Sequence, residues 1–241
     1  MRPDGRRACT VAVSFERFGS AHLGVIALTF TTPLLLSAIV RWSDSTAVAT
    51  SFSWLLAALL VGAKALSLVL LARDGELTIA AAAPMYLCDW AAVVAIVTLI
   101  YPNPSTYELC YFWVLAGTSQ ALLTPDLSYE FPDPRFISFF ALHGGVIASV
   151  LYMTLGLGMR PVPMSILRAL AWSVVYLAVA MAVNARFGTN YGYLRAKPSH
   201  ASLLDYMAPW PFYIGQMALL AILFCLVCYS PFFIIDQLRP R

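Results

Sequence analysis

The sequence has few charged residues, because only 11% of its 241 residues are Asp, Glu, Lys or Arg, whereas 61% are hydrophobic. A soluble globular domain has about 25% charged and about 45–50% apolar residues. This composition cannot cover a globule with polar groups, so the chain belongs to the membrane class. The net charge of +3 is scattered. Without a run of Lys and Arg, the sequence gives no indication of nucleic acid as a partner.

Cysteine and histidine are also sparse, with five and three residues respectively. The cysteines show no spacing that indicates a disulfide framework. Cys225 and Cys228 have the spacing of a redox or zinc motif, but they lie among Leu, Ile and Phe residues. Free cysteine in such a segment usually packs as a small hydrophobic residue. We therefore interpret this pair as part of the packing.

The motifs of two hydrolase classes are missing. No HxxxH pair is present, so the three-histidine site of seven-span zinc hydrolases is not visible. No GxSxG motif indicates a serine hydrolase. His22, Cys88, Asp89 and His143 are the side chains that could supply zinc ligands. Without a histidine pair of the required spacing, we predict that the protein uses no metal and no cofactor.

Long apolar segments are what the sequence has in abundance. A membrane-spanning helix needs about 20 mostly apolar residues, and seven stretches qualify. They are residues 21–40, 48–72, 78–101, 107–124, 136–158, 164–184 and 209–232. We predict an all-α, polytopic membrane protein with seven transmembrane helices. Residues 1–20 would form an N-terminal tail, 21–232 the membrane domain and 233–241 a C-terminal tail. No internal repeat is visible, which disfavours a transporter built from inverted halves.

The distribution of Lys and Arg predicts the orientation of these spans. Seven spans put the two termini on opposite faces. The face with the N-terminus would carry nine of the 15 Lys and Arg residues, and the other face five. Because positively charged loops stay in the cytoplasm, we predict a cytoplasmic N-terminus and a C-terminus outside.

Three polar side chains interrupt the apolar segments at a similar depth. Cys88, His143 and Lys64 each lie about 10–15 Å from the predicted cytoplasmic face, at 1.5 Å per residue. Ionisable groups in hydrocarbon are costly and need a partner or a purpose. Gln120 and His22 lie towards the same face, whereas the opposite half of the membrane domain is almost purely apolar. The sequence therefore predicts a reactive site in the cytoplasmic half.

Cys88 and His143 are the candidates for catalysis. Pro84 should break the third span, which would put Cys88 in the first turn of a new helical segment. Helix N-terminal amides stabilise a thiolate, and Cys–His is a standard activated-nucleophile pair. The alternative is a buried thiol beside a structural kink, with His143 bonded to a helix carbonyl. We expect Lys64 and Asp89 to form an ion pair, because pairing makes their burial tolerable.

Several sequence blocks resemble one family. They lie at residues 18–23, 117–127, 131–136, 139–144, 190–198 and 203–211. In order and spacing they resemble the YwaF-like bacterial integral membrane proteins. Those proteins are in turn similar to the animal transmembrane protein 164 family, described as a cysteine-dependent acyltransferase acting on ether phospholipids. The resemblance implies a bacterial plasma membrane location.

The family's functional residues carry over at two positions. Its cysteine after a proline in the third span corresponds to Cys88, and the histidine of its Phe-Phe-x-x-His-Gly block corresponds to His143. The sequence departs from the resemblance at Met85 and Tyr86, where many bacterial members are expected to have Leu-His. That difference puts in doubt any metal or relay role at this position.

These observations lead to one functional prediction and two rivals. We expect acyl transfer between phospholipids of the bilayer through a thioester on Cys88, with His143 as the base. The rivals are a lipid hydrolase with the same pair and a non-enzymatic lipid-binding or transport component. We predict that the substrate-binding side chains are His22, Lys64, Asp89, Gln120, Asn190, Tyr191, Arg195 and Lys197. For the loop at 190–197, anchoring at the membrane surface is an equal alternative. The sequence leaves the oligomeric state open.

Overall fold

The computed structural model describes residues 15–198 and 202–238, and this part is helical, with no β-strand. The helices are α1 (Ser20–Ser43), α2 (Thr46–Arg73), α3 (Ile79–Ala82), α4 (Leu87–Ile100), α5 (Pro104–Phe112), α6 (Ser119–Leu123), α7 (Pro134–Leu155), α8 (Pro163–Phe187) and α9 (Phe212–Leu238). A π-helical segment, Trp113–Thr118, joins α5 to α6, and short 3₁₀ turns lie at Tyr191–Tyr193 and Leu203–Tyr206. Of the predicted tails, residues 1–14 and 239–241 lie outside the described residues, whereas residues 233–238 belong to α9.

Five helices are long and apolar enough to cross a membrane, namely α1, α2, α7, α8 and α9. They correspond to five of the predicted spans, so the all-α membrane fold is confirmed. The other two predicted spans take different forms. Residues 78–101 are split between α3 and α4, and residues 107–124 fall within the continuous helical run from α5 to α6. The count of seven crossings therefore stays a prediction.

Helix α7 lies at the centre of the fold. In α7, 72% of the most apolar 18-residue window is buried inside the protein, against 11–28% for the other four long helices. Two glycines allow this. A Cβ atom at Gly144 would lie 2.6 Å from the Thr29 hydroxyl of α1, and one at Gly145 would lie 3.0 Å from Leu60 of α2. Small residues let helices approach closely where no hydrophobic effect drives them together.

Contacts between the helix ends define two ends of the molecule. At the first end, Arg135 at the start of α7 forms an ion pair with Asp74, just after α2. At the opposite end, Arg41 of α1 donates to the Leu155 carbonyl at 2.8 Å, and Arg160 pairs with Asp236 of α9 at 2.5 Å. The chain thus alternates between the two ends, and the segments 74–86, 124–133, 188–198 and 202–211 all lie at the first end.

The prediction that the half away from the candidate site is almost purely apolar is wrong. Glu108 of α5 is buried and lies 2.8 Å from Arg168 of α8. The Tyr107 hydroxyl bonds Thr154 of α7 at 2.8 Å. A carboxylate in the second turn of a helix is close enough to the end of the helix to reach an arginine whose long side chain extends towards water. In the sequence, Glu108 lies at the start of the predicted span 107–124, and this pairing was not predicted.

Candidate functional site

A break in the helix at Pro84 positions Cys88. Helix α3 ends at Ala82, Ala83 is extended, and α4 begins at Leu87, so Cys88 is the second residue of α4. Proline lacks an N–H and disfavours the helical conformation of the residue before it. The predicted break is therefore confirmed. Cys88 is partly exposed and is not in a disulfide.

A buried ion pair lies beside the cysteine. Lys64 Nζ donates to Asp89 Oδ1 at 2.6 Å, with Asp89 only 5% exposed and Lys64 30% exposed. The other oxygen, Asp89 Oδ2, accepts from the Tyr86 backbone N–H at 3.3 Å, which satisfies one free donor at the start of α4. The predicted pair is confirmed. Asp89 both ties α4 to α2 and fixes the turn that carries Cys88.

His143 presents one free nitrogen. Its Nδ1 lies 2.8 Å from the Phe139 carbonyl oxygen, one helical turn earlier, and its ring stacks on Phe139 at 4.2 Å. Since a carbonyl only accepts, Nδ1 carries the hydrogen and Nε2 carries a lone pair. Nε2 has no hydrogen-bond partner among the described residues. The imidazole is therefore oriented and able to accept a proton.

The ion pair links Cys88 to His143. Both Lys64 and Asp89 interact electrostatically with the Cys88 thiol and with the His143 imidazole. The four side chains come from α2, α4 and α7, and they share one neighbourhood at the first end of the molecule. Direct proton transfer between Cys88 and His143 stays a prediction.

A groove of about 310 Å³ opens between α2 and α4. Lys64, Pro84 and Asp89 line it at the end near the break, and Leu142 of α7 closes it from behind. Its other lining residues are apolar side chains of α2 and α4. Cys88 and His143 do not line the groove but are chain neighbours of Asp89 and Leu142, which do.

In the polar loop after α8, the predicted binding residues form hydrogen bonds with the protein's own backbone. Asn190 Oδ1 accepts from the backbone N–H groups of Arg195 and Ala196 at 2.9 and 3.0 Å. The Arg195 guanidinium donates to the Asn184 carbonyl at 3.3 Å. Lys197 Nζ donates to the Met207 carbonyl at 2.9 Å. These contacts give Asn190, Arg195 and Lys197 structural partners.

Tyr191 holds this loop against the helix break. Its side chain is buried, its hydroxyl donates to the Ala80 carbonyl of α3, and its ring packs edge-on against Tyr86 at 5.2 Å. The buried Asn184 side chain fixes the backbone of Tyr191, since its Oδ1 accepts the Tyr191 N–H at 2.8 Å. The loop thus covers the segment just before Cys88.

His22 and Gln120 lie apart from the ion pair. His22 is fully buried, its Nδ1 accepts from the Phe18 N–H at 2.9 Å, and its Nε2 donates to the Leu122 carbonyl at 2.7 Å. With both ring nitrogens bonded, His22 joins α1 to α6 and has no nitrogen left for a ligand. Gln120 lines a second cavity of about 280 Å³, together with Asp205 and Tyr206.

Aromatic side chains around the break were missed by the sequence analysis. The Tyr176 hydroxyl of α8 donates to the Met85 carbonyl at 3.2 Å. The Tyr193 hydroxyl donates to Asp126 at 2.9 Å. Tyr86, Tyr176 and Tyr193 all interact electrostatically with Cys88. Tyrosine is common at membrane interfaces, so its presence in the sequence gave no signal for this cluster.

Metal ligands do not gather at the site, since residues 15–198 and 202–238 contain no group of three or more His, Cys, Asp or Glu side chains that could hold a metal ion. The arrangement instead offers a thiol, an oriented base and a buried ion pair beside an apolar groove.

Comparison with known proteins gives one match. The model of the TMEM164 family matches residues 17–229. That range includes α1 to α8, most of α9, and every side chain of the candidate site. No curated protein and no solved structure shows a significant match.

Proposed function

The chain belongs to the TMEM164 family and is an integral membrane protein, and on this basis we propose that it is a membrane-embedded acyltransferase. It moves an acyl chain from one phospholipid to another through a thioester on Cys88. The acceptor is a lysophospholipid hydroxyl. The resemblance to the YwaF-like proteins supports a bacterial plasma membrane as its location.

The observation that carries this proposal is the position of Cys88. A helix begins at Leu87 inside an apolar fold, and its second residue is a partly exposed cysteine. The next residue is half of a buried ion pair. Breaking a helix and burying a charge are both costly in a membrane. Cys88 lies next to both a broken helix and a buried charge, and this combination supports a catalytic site.

Acyl transfer then takes place in two steps. In the first, the Cys88 sulfur attacks the ester carbonyl of the donor, the C–O bond breaks, and the lysophospholipid leaves with the proton that His143 Nε2 has taken from the thiol. In the second, His143 takes the proton of the acceptor hydroxyl, whose oxygen attacks the thioester. The thiolate leaves and regains its proton.

The seven-crossing path and the cytoplasmic N-terminus are part of this proposal. The alternation of the chain between the two ends supports seven crossings, with α3–α4 and α5–α6 as the third and fourth. The excess of Lys and Arg supports an N-terminus on the cytoplasmic side. With that orientation the Cys88 site faces the cytoplasmic leaflet.

Trapping the thioester tests the chemistry. The purified full-length protein in lipid nanodiscs is incubated with a phospholipid that carries a radiolabelled acyl chain, and the labelled peptide is identified after proteolysis. We expect label on the peptide containing Cys88, removable by neutral hydroxylamine, which cleaves thioesters. Cys228→Ser is the matched control, because Cys228 is also partly exposed but lies in the apolar helix α9.

The outcomes separate the three candidate functions. Label on Cys88 that passes to an added lysophospholipid supports the transferase. Label that is lost to water at the same rate with and without an acceptor supports the hydrolase. No label on Cys88, or equal labelling in the Cys88→Ala variant, would contradict covalent catalysis and leave a lipid-binding component.

A further inference from the structure

The groove lies between two helices of very different length, α2 and α4. Helix α4 has 14 residues and α2 has 28, which correspond to lengths of about 21 and 42 Å. The hydrocarbon core is about 30 Å thick. The shorter helix cannot cover α2 over this whole depth, and the chain on the side of Cys88 runs instead as the Pro84 break and the short α3. The groove starts at the Pro84 break and runs along α4 as far as Ile96, facing Leu60 to Leu68 of α2.

The groove is open to the lipid. Val61 of α2 and Val93 of α4 form its rims and are 54% and 55% exposed. Leu60 and Ala92 form its floor and are buried, at 0% and 5% exposure. Because α2 is a membrane-spanning candidate, exposed side chains on this face touch lipid tails. The groove is thus an apolar channel that can be entered sideways from the bilayer.

The groove has a polar end with unused donors. Lys64 and Asp89 are the charged residues among its lining. An ammonium group has three donors, and among the described residues Asp89 is the one acceptor that Lys64 Nζ has. The Lys64 side chain is 30% exposed, and its ammonium keeps donors for an oxygen of a lipid ester that enters this end of the groove.

From these contacts we infer that the groove between α2 and α4 receives an acyl chain directly from the bilayer, with the Lys64 ammonium donating to the ester carbonyl oxygen at its polar end. The inference rests on the proposed function, since it names the entry route and a positioning residue for the same site. A volume of about 310 Å³ lies at the lower end of small-molecule sites. It accommodates part of one chain, with the rest remaining in the bilayer.

Asp89 connects the polar end of the groove to the Cys88 thiol. Asp89 follows Cys88 directly, and Lys64 interacts electrostatically with the Cys88 sulfur. A carbonyl oxygen bound at Lys64 would carry growing negative charge as the sulfur attacks. A cation in an apolar setting stabilises such charge. The same ammonium therefore orients the ester and stabilises the developing oxyanion.

Photocrosslinking in the absence of catalysis tests the route. Full-length Cys88→Ala protein in nanodiscs is loaded with a phospholipid that carries a diazirine in the middle of its acyl chain, and crosslinked peptides are identified by mass spectrometry. We expect crosslinks concentrated on the α2 and α4 peptides containing Val61 and Val93. Val93→Trp should reduce them at least about fivefold by filling the groove.

Val97→Trp is the matched control. Val97 is a valine of α4, one turn away and 42% exposed, and it does not line the groove. Crosslinking should stay within about twofold of the parent. Crosslinks spread evenly over α1, α8 and α9, or equal losses in both variants, would overturn the inference.

A parallel activity assay distinguishes failure of the groove inference from failure of the proposed acyltransferase function. With Cys88 intact, Val93→Trp should raise the KM for the donor phospholipid, whereas Lys64→Arg, which keeps the cation, should alter kcat more than KM. Acyl transfer that is unaffected by Val93→Trp would reject the groove and leave the enzyme proposal standing. Groove crosslinks in a protein without any acyl transfer would reject the enzyme and leave a lipid-binding groove.

Discussion

Two ion pairs in this protein each contain a buried carboxylate, but their surroundings differ. In the first, Asp89 is 5% exposed and Lys64 30%. In the second, Glu108 is 6% exposed and Arg168 47%. Each joins two helices, α4 to α2 in the first and α5 to α8 in the second. Each solves the same physical problem, since a buried carboxylate needs a cation.

The difference lies in what else each pair touches. Asp89 follows a partly exposed cysteine residue, holds the first turn of a broken helix, and lines a groove open to lipid. Arg168 turns nearly half of its side chain outward, and Glu108 sits in an unbroken helix. We conclude that the Glu108–Arg168 pair ties helices together, whereas the Lys64–Asp89 pair does so next to Cys88 and beside a groove. Burial of charge alone does not separate the two roles.

Removing the cation of each pair should give the largest contrast. Lys64→Met and Arg168→Met both leave a buried carboxylate unpaired, and we expect each to lower stability by about 3 kcal/mol. Acyl transfer per folded molecule should fall about 10²–10³-fold for Lys64→Met, the size of losing an oxyanion donor, and stay within about threefold for Arg168→Met. Thermal unfolding and a lipid transfer assay measure the two effects.

The double variants provide the control. Lys64→Met with Asp89→Leu, and Arg168→Met with Glu108→Leu, remove both charges, and replacing a whole buried pair is often neutral for stability. Stability should recover in both, while acyl transfer per folded molecule stays low in the Lys64–Asp89 double variant and stays close to the parent's in the Glu108–Arg168 one. Full activity in the Lys64–Asp89 double variant would show that the two pairs are equivalent and the comparison mistaken.

His143 and His22 allow the same comparison between a residue of the candidate site and a structural residue. His143→Ala should reduce acyl transfer about 10²-fold, the lower range for loss of a general base, with a small effect on stability. His22→Ala removes two hydrogen bonds and should lower stability by about 2 kcal/mol while leaving the activity of the folded fraction unchanged. Equal activity losses in the two variants, at matched amounts of folded protein, would remove the argument for His143 as the base.

Two glycines, Gly144 in the middle of α7 and Gly156 just after its last residue, test the backbone that carries His143. Gly144→Ala puts a Cβ 2.6 Å from Thr29 Oγ1, and Gly156→Ala puts one 3.0 Å from the Tyr152 ring and 3.1 Å from Ser37 Oγ. Overpacking of this kind costs about 1–3 kcal/mol, so both should unfold at lower temperature. Only Gly144→Ala should reduce acyl transfer, by about tenfold, because the displaced turn holds His143. Restored activity in Gly144→Ala with Thr29→Ala would confirm the steric cause.

Two tyrosine hydroxyls offer the smallest contrast. Tyr193→Phe removes the bond to Asp126 in the loop over the helix break, and Tyr107→Phe removes the bond to Thr154 at the opposite end. Each should cost about 1 kcal/mol, and only Tyr193→Phe should lower acyl transfer, by about twofold to threefold. Activity changes of the same size in both would mean that the loop does not support the site.

Tyr193 also predicts a pH dependence. Burial, aided by the charge of Asp126, raises the pKa of the Tyr193 hydroxyl, so the folded protein keeps it neutral where the unfolded chain ionises it, at about pH 10. Its contribution to stability is therefore full below that pH and is lost as the pH rises beyond it. Denaturation of Tyr193→Phe should show a shallower alkaline decline, and an identical decline in both proteins would contradict this assignment.

The candidate site was predicted from the sequence to different degrees at different residues. Pro84 predicted the helix break, because the missing N–H of a proline acts on the residues next to it. The ion pair between Lys64 and Asp89 was predicted because an unpaired charge inside a membrane protein is costly. Asn190, Arg195 and Lys197 were assigned to ligand binding, yet the structure bonds them to their own loop. Loop polar groups can serve a ligand or the backbone, and only three-dimensional contacts distinguish these uses.

The sequence by itself determined that this is an all-helical membrane protein, that its third predicted span breaks at Pro84, and that Lys64 and Asp89 pair. These follow from composition, helix length and local chemistry, which act over a few residues. The tertiary structure alone decided that α7 is central, that Glu108 reaches Arg168, and that a groove opens between α2 and α4 beside the Lys64–Asp89 pair. Those features depend on how helices that are far apart in the chain pack against each other. A single glycine without a Cβ atom, or a single short helix, changes how the neighbouring helices are arranged.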